Sequence, residues 1–154
     1  METLFADYLE RLQELNSDFI RTFDDLPDEA LDWVPGVEMN SFCVLVVHTT
    51  AATRFWIGDI ALGESSNRNR DAEFQAKGLS KDELKARFGA LEAYVTDALE
   101  RLSVADLAAE RNFRYRDRQG GTAGWALLHA LEHVGIHLGH AQITRQLWQA
   151  RNPS

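Results

Sequence analysis

Apolar residues recur at intervals of three and four through four long stretches of this chain. That repeat commits it to amphipathic helices packed on one another. Leu4, Phe5, Tyr8, Leu9, Leu12, Leu15, Phe19, Ile20 and Phe23 predict a first helix over residues 2–25, ended by Pro27. A short helical turn is expected from Pro27 to Trp33, closed by Val34-Pro35-Gly36. Asn40 or Ser41 can cap a second helix that runs to Gly63. Residues 63–79 are polar and aperiodic, a long connection. Ser80-Lys81-Asp82-Glu83 is a capping box that opens a third helix carrying Leu84, Phe88, Leu91, Val95, Ala98, Leu99 and Leu102. Another short turn is expected over 103–110, and Phe113-Arg114-Tyr115-Arg116 alternates like a brief extended segment before Gly120-Gly121. Thr122 then caps a fourth helix reaching about Trp148. The expectation is an all-α four-helix bundle with long connections. Those connections leave room for a crossover between helices that are not antiparallel neighbours.

At 154 residues the chain is expected to be one domain, 1–154, with enough apolar surface for a core. Its net charge of −8 argues against a nucleic-acid partner, whose phosphates would meet mostly like charge. Two local exceptions are Arg68 with Arg70, and Arg111, Arg114, Arg116 and Arg118. In an acidic protein such clusters are expected to be solvated and salt-bridged, the alternative being recognition of a small anion. The lone Cys43 closes no intrachain disulfide. The opening METLFADYLERL does not read as a signal peptide, and no apolar run would span a bilayer. The expected location is cytoplasmic. Trp33, Trp56, Trp125 and Trp148 are read as core anchors.

All five histidines fall in the second and fourth helices. Setting His133 to zero at 100° per residue, His129, His137 and His140 lie near about −40°, +40° and −20°. Four imidazoles on one narrow arc would repel one another if protonated, and each would need a partner if desolvated. A divalent metal ion resolves both difficulties, because it accepts neutral imidazole nitrogens and suits histidines spaced by four on a helix. Three pairs share one side of the helix at a spacing of four or three: His129/His133, His133/His137 and His137/His140. Geometry alone does not choose among them. His48 is the one remaining histidine. Its helical neighbours Val44, Ala51, Ala52 and Phe55 make an inward-turning face, whereas Cys43 lies roughly 140° away round the helix.

The segment from Asn40 to His48, with Ser41 near its start, and the run from His129 to Ile143 on the fourth helix together resemble the DinB/YfiT-like superfamily. The resemblance implies a DinB-like bundle and assigns a metal to His48, His133 and His137, leaving His129 and His140 outside the ligand set. The Leu-Gly-His-Ala variant at 138–141 is closer to the branch that includes mycothiol-dependent enzymes. Members of the superfamily include S-transferases that use glutathione, mycothiol or bacillithiol, so the resemblance implies thiol activation and an electrophilic second substrate. Hydrolysis by metal-bound water and a non-catalytic metal-binding bundle are the alternatives. Zinc or nickel is the expected ion, with iron or manganese also accommodated by imidazole. His140 is a candidate proton shuttle, and Arg114 and Arg116 are candidate partners for substrate carboxylates. Relatives often dimerise, which makes a homodimer the expected assembly.

Overall fold

The computed structural model describes residues 1–151, and the last three residues of the expected 1–154 unit lie outside them. Four long helices carry the fold: α1 (Thr3–Arg21), α2 (Phe42–Arg54), α4 (Lys81–Glu100) and α5 (Ala123–Arg151). α2 continues into a π-helical segment, Phe55–Leu62, that stops at Gly63, where φ is +75°. A left-handed backbone at that stop suits glycine, which has no Cβ to clash. A four-residue helix, α3 (Arg70–Glu73), interrupts the connection expected to be irregular. The short turns expected after α1 and α4 are 3-10 segments at Asp28–Ala30 and Val104–Ala108.

The helix starts follow from their caps. Ser41 Oγ accepts from Val44 N, and Ser80 with Glu83 forms the reciprocal capping box. Thr122 Oγ1 accepts from Trp125 N at 3.1 Å, which opens α5. The segment that alternates at 113–116 belongs to a strand, β1 (Glu110–Tyr115), and pairs antiparallel with β2 (Arg118–Thr122). Glycine-rich β2 was not foreseen as a strand, because its partner supplies the pairing that its composition does not advertise.

Two apolar clusters fill the bundle. One gathers Phe5 and Leu12 of α1, Trp56 and Ile57 after α2, Val95 and Leu99 of α4, and Ala126 and Val134 of α5. The other gathers Phe19 of α1, Phe42 and Val46 of α2, Leu84 and Phe88 of α4, and Leu138 and Trp148 of α5. Followed along the chain, α1 and α5 run from the first cluster to the second, while α2 and α4 run the opposite way. α2 and α4 are therefore parallel, and residues 63–80 form the crossover that returns the chain to its starting end. Between the clusters lie the buried polar residues Asn16 and Thr49, with Asn16 Nδ2 donating to Glu92 Oε1 at 2.9 Å. His48 on α2, between Val46 and Trp56, occupies this polar waist. Among the described residues no helix is long and apolar enough to cross a membrane.

Candidate metal centre

α2 presents His48 and α5 presents His133 and His137, and the packing of these two helices brings one nitrogen from each within 4.8 Å of the others. His133 Nε2 and His137 Nε2 are 3.1 Å apart, as the i, i+4 spacing on one helix allows. The ring of His48 stands 5.0 Å from that of His133 and 4.9 Å from that of His137, edge-on to both. Of the three pairs left open by spacing, His133/His137 is the one that meets His48.

His48 is held by a residue that no sequence pattern singled out. Its Nδ1 lies 2.8 Å from Glu73 Oε2, and both side chains are almost fully buried. Arg68 clasps the same carboxylate through Nε to Oε1 at 2.6 Å and Nη2 to Oε2 at 2.8 Å. A carboxylate accepts, so His48 carries its hydrogen on Nδ1 and turns the Nε2 lone pair toward α5. Phe74, next in sequence, packs its ring 4.7 Å from that of His48. The α3 helix carries Glu73 in its last turn and Phe74 just past its end, and Asn69 Oδ1 caps it by accepting from Ala72 N at 3.1 Å.

Burial holds all three imidazoles in the neutral state. It pushes the His133 pKa down to about 2, with the neighbouring His137 and His48 adding repulsion. His137 falls to about 4, again chiefly through burial, with the nearby imidazoles of His48 and His140 adding to the penalty on its protonated form. For His48, burial lowers the value and outweighs the opposing hydrogen bond that it donates to Glu73. Neutral, lone-pair-bearing nitrogens are what a divalent ion requires. An ion ligated by imidazole at about 2.0–2.1 Å holds adjacent nitrogens roughly 3.0–3.4 Å apart, so the 3.1 Å pair already has the needed separation. Two lone pairs facing across that gap could share only one hydrogen, whereas a metal would satisfy both. The donor set fits a divalent ion.

The other candidates fall around this trio. His140 Nδ1 is 3.3 Å from His137 Nδ1, yet His140 lines a separate cavity of about 270 Å³ with Glu38, Met39 and Ile143. His129 is wedged between Trp125, stacked at 4.9 Å, and the rings of Trp56 and Tyr115. Its Nδ1 meets Glu132 at 3.2 Å, and its Nε2, like Nδ1 of His133, is buried without a partner among the described residues. Arg114 and Arg116 line the same cleft of about 510 Å³ as the three histidines. The salt-bridging expected for the second arginine cluster is not what these residues do. Arg111 donates to the Ala61 carbonyl and Arg118 to that of Gly120, and among the described residues Arg114 and Arg116 form no ion pair. The hairpin holds them over a cleft whose lining, among the described residues, contains no carboxylate. In the first cluster, Arg68 is paired, to Glu73, and among the described residues Arg70 is not.

A sequence profile of the DinB superfamily matches residues 11–141. The chain belongs to the DinB superfamily. Its structure is similar to that of a conserved protein from Enterococcus faecalis, with a TM-score of 0.77 and 16% identity, over 96% of this chain and 98% of that one. At that identity the likeness extends to the fold. No curated protein matches the sequence. This DinB-superfamily chain thus has a helical bundle with three histidines that could hold a metal ion.

Proposed function

We propose that the protein is a metal-dependent enzyme that activates a low-molecular-weight thiol for transfer to an electrophile. The carrying observation is the convergence of His48, His133 and His137, neutral and from two helices, at one side of an open cleft. Three imidazoles leave a divalent ion, zinc or nickel by donor preference, with room for a further ligand. When bound, such an ion supplies Lewis acidity and a positive charge that favour the thiolate form of a thiol.

The remaining work belongs to the chain's own side chains. Glu73 fixes the tautomer of His48 and the direction of its free lone pair, and Arg68 keeps Glu73 in place. Phe55, Trp56, Phe74 and Tyr115 give the cleft an apolar wall beside the histidines. Arg114 and Arg116 stand where they can receive carboxylates of a thiol cosubstrate.

The test is metal analysis of the purified protein, followed by assay of glutathione, bacillithiol, mycothiol and cysteine against a reactive electrophile. The expected result is one equivalent of metal and a thiol-dependent rate that disappears together with the metal in His137→Ala. If no thiol raises the rate above that variant, S-transfer is wrong and ester and amide cleavage by the loaded protein is the next assay.

A further inference from the structure

The cleft beside the histidines is electrostatically unlike the rest of the molecule. The chain carries −8 overall, yet Arg68, Arg70, Arg114 and Arg116 line this one concavity and, among the described residues, no aspartate or glutamate does. Arg68 is neutralised by Glu73 behind the wall. Arg70, Arg114 and Arg116 are solvent-exposed and, among the described residues, have neither an ion pair nor a hydrogen bond to a carboxylate. They come from segments more than forty residues apart: Arg70 opens α3, while Arg114 and Arg116 sit at the tip of the hairpin. The positive φ of +52° at Arg116 marks it as a turn residue. With 24 acidic residues available, three unpaired guanidiniums gathered at one cleft are not a by-product of composition.

Aromatic groups form the rest of the wall. The Arg70 guanidinium lies 4.9 Å from the centroid of Phe74, and that of Arg116 lies 5.2 Å from the centroid of Tyr115. Such stacking holds each planar cation against a ring while leaving its N–H edge free to donate. Phe55, Trp56 and the half-exposed Ile136 continue the apolar surface toward the histidines.

We infer that this cleft recognises a small amphipathic anion, with a carboxylate or phosphate held by Arg70, Arg114 and Arg116 and an apolar body against Phe55, Trp56 and Phe74. This assigns a binding role to Arg70 and gives the substrate of the proposed reaction a chemical class. It rests on the cleft being the substrate site and requires no metal for the anion contact itself. A bidentate guanidinium contact to an oxyanion is among the stronger hydrogen-bonding arrangements, so removing one should weaken binding roughly tenfold.

Calorimetric titration of the full-length protein with phenyl phosphate, 3-phenylpropionate and the uncharged benzyl alcohol tests the inference, before and after chelation. One or both anions should bind at least tenfold more tightly than the alcohol. Added salt should reduce that preference. The double variant Arg114→Gln/Arg116→Gln, and separately Arg70→Gln, should abolish most of it, with an unchanged melting profile showing intact folding. The better of the two anions identifies the headgroup. Equal affinity for anion and alcohol, or anion binding untouched by the arginine substitutions, overturns the inference. Binding that disappears on chelation but survives the substitutions also overturns it, since the anion would then rest on the metal alone. Arginine-dependent binding that survives chelation upholds it, and does so even if metal analysis defeats the proposed reaction.

Discussion

Glu73 is the residue whose role is most open to test, because everything it does passes through His48. Replacing it by glutamine keeps the shape but removes the charge that both His48 Nδ1–H and Arg68 address. Carboxylates behind ligating histidines commonly contribute about 10- to 100-fold to metal affinity. Glu73→Gln should weaken metal binding on that order in a competition titration with a chromogenic chelator, while His137→Ala should abolish it. Equal affinity in Glu73→Gln and the parent would reduce Glu73 to a packing role. The same imidazoles set a pH dependence. Their folded pKa values lie below the ordinary value of about 6.5, so between the two values the unfolded chain binds more protons than the folded one. Stability is therefore whole above about pH 6.5 and declines as pH falls through 5 and toward 4. Melts of chelated protein from pH 7.5 to 4.5 should show a falling midpoint, and a flat profile would show that the imidazoles are more hydrated than the structure has them.

At the scale of the element, α5 contains a conflict between local preference and position. Gly135 and Gly139 sit in mid-helix beside His133 and His137, and a Cβ built on either would meet nothing within 4 Å. Glycine in a helix interior is less stable than alanine by roughly 0.5–1 kcal/mol, chiefly through the freedom it has when unfolded. Gly135→Ala and Gly139→Ala should therefore each raise the melting temperature by a few degrees without altering metal stoichiometry. A loss of stability in either would mean that this face, which also exposes Leu128 and Ile143, is packed against another molecule in solution. α3 shows the opposite economy. Four residues are too few to be stable alone, and the helix persists because Glu73 and Phe74 are anchored on His48.

For the whole molecule, the metal and the fold should stabilise each other. The three ligands come from helices that pack correctly only in the folded bundle, so an ion bound there stabilises that state in proportion to the logarithm of its concentration. At about one hundred times the dissociation constant the gain is roughly 2.7 kcal/mol. Loaded and chelated protein should melt at clearly different temperatures at pH 7.5, and the gap should close only as pH falls toward about 4, where protons begin to compete for His137. Coincident melts at pH 7.5, with metal analysis confirming loading and removal, would argue that the ion sits on an exposed histidine such as His140 instead.

Much of the fold was legible because it is written in short-range terms. Apolar spacing marked the four long helices, and Ser41, Ser80 and Thr122 marked where three of them begin, since a cap depends only on the next three residues. The arc of histidines on α5 was equally local, a consequence of 3.6 residues per turn. The parallel course of α2 and α4, the meeting of His48 with His133 and His137, and the pairing of β2 were not readable in this way. Each depends on segments far apart in the chain being packed side by side. Glu73 illustrates the difference. In sequence it is one acidic residue among 24, in a polar stretch with no period. Only the crossover after α2 places it against His48, 25 positions away, and shields the pair from water. Arg68 and Arg70 differ by two positions and are chemically identical, yet one is paired with that carboxylate and the other is left facing the cleft. Residue type and spacing determine what a side chain can do, while the low-dielectric surroundings and the partner that decide what it does are assembled only when the helices close.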